Sequence, residues 1–326
     1  MINKPRTLII INKAAAKARR LWPIVCKQLE ATGNHFDTYE TTQPGDAALR
    51  TGTALRAGIT TIAIVGGDGT LSEAAGGFFE FGNQPETLPS PINRQAALAI
   101  LPAGAGDDFA RGLMGRRAPL AQWTELLISH CQEKYEQSTR LVDVIYGACN
   151  GYASRFICLN ASTLGIGGET ASRVRAQGGF MRRFSGEARF AAAAVGALGA
   201  WRERPVRVSI DDSLVIEGGM NLVAVANGLY AGGGMMLSPT AQVDDGKLDV
   251  VTASGLTRAA VIRELPRIYS GGHVKNPKVI ITQGQKARIE TFSREDGMLI
   301  EADGNVRGRT PVEFRIMPGA LRIVAG

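Results

Sequence analysis

Two glycine-rich turns in the first third of the chain each place an aspartate beside backbone without side chains. GGDGT (66–70) follows the apolar run 62–65, and GAGDD (104–108) follows the apolar run 97–101. Glycines let phosphate oxygens approach backbone N–H groups, and a helix that starts there adds partial positive charge. A carboxylate in such a cradle repels phosphate, so it indicates work on a metal ion or on the proton of an attacking hydroxyl. The first turn taken alone fits equally well a helix that Asp68 merely caps.

Neither turn has the spacing of the common nucleotide motifs. No GxGxxG follows the first strand, and GxxxxGK[ST] does not occur in the sequence. A Rossmann dinucleotide site and a P-loop are therefore both poorly supported, and a different phosphate site is needed.

The elements that must position these turns alternate between strand and helix patterns. Apolar runs predict strands at 8–11, 36–41, 61–65 and 97–101, and periodic segments predict helices at 21–31, 46–57, from 70 onward and at 107–113. Repeated β/α units are typical of a mostly parallel sheet, whose ligands bind at the carboxyl ends of the strands. Both turns are therefore expected at one edge.

The pattern changes near residue 140. Alternating, Val- and Ile-rich segments dominate from there to the end, interrupted by a basic Ala-rich helical segment (179–204) and a helix (258–269). We predict an α/β domain at 1–143 and a β-sandwich domain at 144–326. Whether the extreme C-terminal segment packs back on the first domain stays open.

Composition narrows the class of protein. The 326 residues have a formal net charge of +7 and 44% hydrophobic residues, typical of a globular protein of two domains. The four cysteines have no metal-ligand spacing and favour a reduced compartment, and the three histidines receive no role. We expect a cytoplasmic protein without a membrane-spanning helix. The modest basic surplus could serve nucleotide phosphates, an anionic membrane surface or nucleic acid, and charge alone does not choose among them. No nucleic-acid partner is expected.

The order and spacing of several motifs resemble the bacterial diacylglycerol kinase-like lipid kinases, relatives of sphingosine and ceramide kinases. The resemblance covers nearly the whole chain and rests on Asn12, GGDGTLSE (66–73), LPAGAGDDFARGL (101–113), NASTLG (160–165), VDDGKLDV (243–250) and Asp303-Gly304. It implies an N-terminal Rossmann-like nucleotide domain, similar to that of NAD kinases, and a C-terminal β-sandwich, with the lipid entering between them. It also implies transfer of the γ-phosphoryl group of ATP to the hydroxyl of a membrane lipid.

The same resemblance implies the site residues. The residues expected to contact ATP are Asn12, Lys13, Ala14, Ala15, Ala16, Thr41, Gly66, Gly67, Asp68, Gly69, Thr70, Leu71, Ser72, Gly104 and Gly106. A structural Mg²⁺ would take the carbonyls of Gln242 and Lys247 with the Asp245 carboxylate, although an Asp-Gly β-hairpin without metal explains that segment equally well.

Three departures from the family pattern bear on catalysis. Ala105 replaces a threonine, Asp107 replaces an amide, and Asn305 stands where the family has the glutamate of a DGE motif, its proposed proton acceptor. An amide does not take a proton at neutral pH. Asp68 then acts as the base, which we favour, or a nearby carboxylate such as Asp303 or Glu301 replaces it, or the protein has lost kinase activity.

The acceptor and the membrane contact are the remaining expectations. Diacylglycerol and ceramide or sphingoid lipids are both candidate acceptors, and a homodimer stays open. Arginines interleaved with Phe180, Met181 and Phe184 in segment 179–204 suggest peripheral binding to the anionic inner face of the membrane, and an ordinary packed basic helix fits as well. A nucleotide- or lipid-binding regulator without turnover and an NAD-kinase-like enzyme are the rival functions.

Overall fold

A computed structural model describes residues 6–84, 86–132, 138–149, 151, 153–177 and 186–325. The chain divides into two compact units, 1–143 together with 318–326, and 144–317. The divisions fall inside two strands, so the C-terminal residues belong to the first unit.

The first unit alternates strands and helices up to the first division. Its elements are β1 (Thr7–Ile11), α1 (Ala16–Glu30), β2 (Phe36–Glu40), α2 (Asp46–Arg56), β3 (Thr61–Gly66), α3 (Asp68–Gly76), β4 (Phe79–Glu80), β5 (Ser90–Pro91), β6 (Ala97–Pro102), α4 (Asp108–Met114), α5 (Leu120–Gln132) and the start of β7 (Thr139–Cys149).

A parallel sheet forms the centre of this unit. The strand β2 pairs with β1, β1 with β3, and β3 with β6, all in parallel. Every residue of β1, β3 and β6 is buried, which requires cover on both faces of the sheet. On the far side, Arg322 and Ile323 near the C-terminus pair in parallel with the start of β6.

The second unit is mainly antiparallel. Its elements are the rest of β7, β8 (Ser154–Cys158), β9 (Ala161–Gly165), α6 (Ile166–Ala176), α7 (Gly186–Ala200), β10 (Arg204–Ile210), β11 (Leu214–Ala226), β12 (Tyr230–Ala231), β13 (Met235–Met236), β14 (Leu248–Ser254), α8 (Arg258–Ile268), a 3-10 helix (Gly272–Lys275), β15 (Val279–Gly284), β16 (Lys286–Thr291), β17 (Leu299–Ala302), β18 (Asn305–Arg309) and β19 (Val312–Val324).

Its long strands enclose one large apolar core. The strand β11 pairs with β9, β10 and β14, and β17 pairs with β9 and β18. Inward-facing residues of these strands form the core, in which the rings of Phe156 and Phe314 meet edge to face at 6.2 Å. This is the packing expected of alternating strands with one buried face.

Several boundaries differ from the sequence predictions. The helix α1 begins at Ala16 and accommodates Pro23, so it starts five residues before the predicted position. The helix α3 begins at Asp68 rather than Thr70, and α4 begins at Asp108 rather than Asp107. The helices α5 and α6 were not predicted, whereas the predicted helix 258–269 corresponds to α8. No helix within the described ranges has both the length and the apolar composition needed to cross a bilayer.

Candidate active site

The carboxyl edge of the parallel sheet brings the turn after β1 against the turn after β3. The backbone N–H of Asn12 donates to the Val65 carbonyl at 3.0 Å, and its side-chain amide donates to Thr70 Oγ1 at 2.8 Å. The Asn12 Oδ1 accepts the N–H of Ala14 at 3.1 Å. Asn12 therefore fixes the first loop to the start of α3.

The two glycine turns touch each other directly. A Cβ on Gly67 would lie 2.9 Å from the Cα of Gly104, and a Cβ on Gly104 would lie 2.5 Å from the Cα of Gly67. Both glycines are therefore required by backbone packing between the turns, whether or not a ligand is bound. The sequence predicted glycines here to give phosphate access to the backbone. The tertiary structure adds a second reason, the close packing of the two turns.

Asp68 is the first residue of α3 and lies half-buried at this edge. The N–H of Phe109, in the first turn of α4, donates to Asp68 Oδ1 at 3.2 Å. Burial, followed by the negative charge of Asp108 and then of Asp107, raises the pKa of Asp68 to about 7. A carboxyl group with this pKa exchanges protons readily near neutral pH, as a general base must.

Sequence reasoning missed the cations that hold the second turn. Lys17 Nζ donates to the Gly104 carbonyl at 3.0 Å and forms an ion pair with Asp107 Oδ2 at 2.9 Å. The other Asp107 oxygen accepts the N–H of Gly104 at 2.7 Å, and Asp107 itself has a left-handed backbone, with φ of 53°. Arg117 donates to the carbonyls of Ala105 and Gly106. In the sequence, the carboxylate of Asp107 was the one feature that could have indicated a cation at this turn.

The remaining predicted nucleotide contacts differ in accessibility. Ala14 and Ala15 lie in the loop before α1, Ala16 begins that helix, and Thr41 follows β2 with its N–H donating to the Ile11 carbonyl at 3.0 Å. Lys13 pairs with Glu40. Leu71 and Ser72 are buried within α3. These assignments stay predictions.

A cavity of about 380 Å³ lies beside the second turn. Lys17, Arg111, Arg117, Asp107 and Trp123 are among the residues that line it. None of residues 12–16 or 66–72 contributes to its wall. The cavity is therefore distinct from the predicted phosphate cradle, although the two share the loop that Lys17 holds.

In the second unit, Asp303 and Gly304 form the tight turn between β17 and β18. Their φ angles of 45° and 84° and the pairing of Ala302 with Asn305 are those of a two-residue hairpin. The two Asp303 oxygens accept N–H groups of residues 159–161 at 2.6, 3.0 and 3.2 Å. This carboxylate organises the backbone of residues 159–161, and the catalytic role of Asp303 stays a prediction.

Glu301 is the second carboxyl group with a strongly raised pKa. It lies opposite Thr163 across the β17–β9 pair, accepts the Thr163 hydroxyl at 2.6 Å and also accepts the N–H of Gly304. Burial, with a smaller contribution from the Asp303 charge, raises the pKa of Glu301 to about 7. Nearby, Asn305 begins β18, and its Nδ2 is buried with no hydrogen-bond partner among the described residues.

The predicted magnesium turn precedes β14. Residues 241–247 form an irregular turn with Gly246 at φ of 72°, and Asp245 Oδ1 accepts the N–H of Lys247 at 3.0 Å. The segment is not the two-stranded hairpin considered as the alternative. Gln242 and Lys247 are exposed and Asp245 is half-buried. Carbonyl and carboxylate oxygens are the donors that Mg²⁺ prefers, and the magnesium site stays a prediction.

The predicted membrane segment is only partly described, because Phe180 to Phe184, including Arg182 and Arg183, lie outside the described residues. In the described part, Arg189 donates to Gln177 Oε1 and Arg204 to the carbonyls of Asp296 and Gly297. These two arginines make contacts within their own unit, and membrane binding by this segment stays a prediction.

Comparison with known proteins places the chain in a family. Residues 6–144 match the diacylglycerol kinase catalytic domain, and residues 164–325 match the YegS C-terminal NAD kinase beta sandwich-like domain. The chain belongs to the bacterial diacylglycerol kinase-like lipid kinases. The predicted fold class, an α/β unit followed by a β-sandwich-like unit, is confirmed.

Individual relatives agree with this assignment. A "Probable lipid kinase YegS-like" protein of Pseudomonas aeruginosa (strain UCBPP-PA14) is 28% identical over 99% of this chain and 95% of its own length. A "Diacylglycerol kinase" of Mycobacterium tuberculosis (strain H37Rv) is 26% identical over 86% of this chain and 81% of its own. The fold also matches the crystal structure of a diacylglycerol kinase from Bacillus anthracis, with a TM-score of 0.66, 19% identity and coverage of 98% and 97% of the two chains.

Proposed function

We propose that this lipid kinase transfers the γ-phosphoryl group of ATP to the free hydroxyl of a membrane lipid, with Asp68 as the general base. The observation that supports it most directly is the position of Asp68. Asp68 directly follows Gly67, which contacts the second turn; its carboxylate accepts the N–H of Phe109 and has a pKa raised to about 7. A family catalytic domain around this residue supports phosphoryl transfer as the reaction.

The first unit offers the features that a nucleotide phosphate needs. The segment 66–69 has three glycines, contains the N-terminus of α3 and is fixed by Asn12 through Thr70. Backbone N–H groups and the positive end of a helix stabilise phosphate charge. We therefore assign ATP to this turn and to the first loop, 12–16.

Asp68 then receives the proton of the attacking hydroxyl. The hydroxyl oxygen forms the new bond to the γ-phosphorus, the bond to the bridging oxygen of ADP breaks, and the hydroxyl proton passes to the Asp68 carboxylate. The N–H of Phe109 holds one carboxylate oxygen in place. A raised pKa makes the carboxylate a stronger base than an ordinary aspartate, at the expense of partial protonation near pH 7.

Magnesium fits two parts of this proposal. Bound with ATP, it would neutralise part of the charge of the transferring phosphoryl group. As a structural ion it would be held by the Gln242 and Lys247 carbonyls and the Asp245 carboxylate, whose oxygen donors suit it. At that site the ion would stabilise the turn before β14. It would take no part in proton transfer.

Diacylglycerol is the first acceptor to test, because several relatives are named diacylglycerol kinases. Ceramide and sphingosine are second, since the amide at Asn305 departs from the pattern that the sequence resembles. That same amide supports one alternative function, a nucleotide- or lipid-binding protein without turnover.

The deciding experiment is transfer from labelled ATP to diacylglycerol, ceramide, sphingosine and NAD in neutral detergent micelles. We expect a labelled phospholipid with the wild-type protein and none with Asp68→Asn. Nucleotide binding without transfer to any acceptor would favour the binding-only function, and labelled NADP would move the protein to soluble-acceptor chemistry.

A further inference from the structure

The helix α8 in the second unit has one face packed and one face open. Glu264 is buried and Leu265 and Ile268 are partly buried, while Ile262 is 54% exposed and the Arg263 side chain 68% exposed. The Thr257 hydroxyl accepts the N–H of Ala260 and starts the helix. Ile262 therefore lies on the open face of α8, and its significance depends on the side chains exposed around it.

The chain after α8 also exposes apolar and basic side chains. Tyr269 is 43% exposed, and in the adjoining 3-10 helix Val274 is 38% exposed, beside the exposed Lys275. The Asn276 side chain donates to Glu264 Oε1 at 3.1 Å and so ties this segment to α8. We call the exposed side chains of Ile262, Arg263, Arg267, Tyr269, Val274 and Lys275 the α8 face.

The charge of this surface has one sign. Residues 257–280 include five arginines and lysines and a single carboxylate, Glu264. That carboxylate is buried, and its Oε1 already receives Arg267 at 3.2 Å together with Asn276. The exposed charged side chains of residues 257–280 are therefore all cationic, and they stand beside exposed apolar groups. An anionic lipid surface is complementary to that combination, because its phosphates pair with cations while apolar side chains enter the headgroup region.

We propose that the α8 face is a docking surface for an anionic lipid bilayer, with Ile262, Tyr269 and Val274 entering the interface and Arg263, Arg267 and Lys275 meeting lipid phosphates. The inference rests on the proposed function in one respect, that the acceptor lies in a membrane. It concerns a different part of the chain from segment 179–204.

The helix α1 provides a matched control. It exposes Ile24 to 57% and, three residues later, Lys27, but with the acidic Glu30 on the next turn. The test pair is Ile262→Ser with Arg263→Glu, and the control pair is Ile24→Ser with Lys27→Glu. Both pairs remove one exposed isoleucine and reverse one exposed positive charge.

Sedimentation with phosphatidylcholine vesicles, with and without phosphatidylglycerol, measures the docking. The wild-type protein and the control pair should bind the anionic vesicles and release them at high salt. The test pair should bind at least roughly tenfold more weakly, since each cation near such a surface adds about 1 kcal/mol and here one is reversed. Equal binding by the test and control pairs would overturn the proposal.

A second variant, Val274→Ser with Lys275→Glu, lies outside α8. It tests the same surface in case the first variant does not fold. If it keeps wild-type melting and still loses vesicle binding, the surface assignment holds. Light scattering in the absence of lipid tests another occupant, because a dimer that dissociates in these variants would make the α8 face a contact between two copies and overturn the membrane assignment.

Activity in neutral detergent micelles separates this proposal from the proposed function. The α8 variants should retain wild-type transfer rates there, because micelles present the lipid without an anionic surface. An inactive wild-type protein that still binds anionic vesicles through the α8 face would reject the catalytic proposal alone.

Discussion

Gly67 and Gly104 approach so closely that neither position has room for a side chain. A Cβ on Gly104 would lie 2.5 Å from the Cα of Gly67 and 2.8 Å from Asp107 Oδ1. Real Cβ atoms do not occupy such distances, so a substitution must move backbone. The relationship makes the two turns one structural unit, in which a change to either alters the surroundings of Asp68.

Replacing Gly104 with alanine should therefore separate the turns. We expect a loss of about 1–3 kcal/mol in the free energy of unfolding from overpacking, together with weaker ATP binding. Urea denaturation and calorimetric titration with an ATP analogue measure the two effects. Gly76→Ala is the control, because nothing lies within 4 Å of its added Cβ. Unchanged ATP affinity in a folded Gly104→Ala protein would show that nucleotide binding does not depend on this contact.

Replacing Asp68 with asparagine should lower kcat by about 10²- to 10⁴-fold, the usual contribution of a positioned general base. The asparagine Oδ1 can still accept the N–H of Phe109, so the fold and most ATP binding should persist. Initial rates with labelled ATP and the best acceptor give the ratio. Asn305→Ala should change kcat far less.

Glu301→Gln provides the competing outcome. Glu301 also has a pKa raised to about 7, but its two oxygens are engaged by Thr163 and Gly304. Activity that survives Asp68→Asn and disappears in Glu301→Gln would assign proton transfer to the second unit instead.

The pH dependence of Asp68 has a definite sign. Its pKa rises from an ordinary 3.8 to about 7 on folding, so between about pH 4 and pH 7 the folded protein keeps a proton that the unfolded chain releases. Stability from this group is therefore lost as the pH rises across that range. Asp68→Asn removes the effect, and its melting temperature relative to wild type should increase from pH 5 to pH 8.

Subtracting the wild-type curve cancels the similar contribution of Glu301 to the pH dependence. The kcat of the wild-type enzyme should rise with an apparent pKa near 7, because only the deprotonated carboxylate accepts the hydroxyl proton. A difference in melting temperature that stays constant with pH would mean that Asp68 is not protonated in the folded state.

The ion pair between Lys17 and Asp107 can be separated from the backbone role of Asp107. Asp107→Asn restores the amide of the family pattern. Asparagine tolerates the left-handed backbone and can still accept the N–H of Gly104, so this substitution should change stability and ATP affinity only slightly. Asp107→Ala should lower stability and ATP affinity more, because the N–H of Gly104 loses its hydrogen-bond acceptor. The half-exposed Lys17 limits the pair itself to about 1 kcal/mol or less.

A double-mutant cycle with Lys17→Met and Asp107→Asn measures that coupling in chemical denaturation. Coupling near zero, with both single variants equal to wild type in ATP affinity, would show that the lysine does not hold the second turn.

Much of this protein follows from local sequence patterns. Apolar runs ending in glycines predicted buried parallel strands with turns at their carboxyl ends, because side-chain periodicity and glycine backbone freedom are properties of neighbouring residues. The motifs around Asp68 and Asp303 indicated the protein family. The change from alternating strands and helices to successive strands near residue 140 predicted two domains.

Only the tertiary structure decided what those residues do to one another. Lys17 reaches Asp107 across 90 positions of sequence, and Asp303 accepts N–H groups from residues 142 to 144 positions earlier. Neither partner's own preferences specify such pairings. The pKa of Asp68 likewise depends on burial and on the charge of Asp108, which α4 brings close. Burial and long-range contacts are set by packing of the whole chain. The pKa and the hydrogen-bond partners of each carboxylate could therefore be identified only from the tertiary structure.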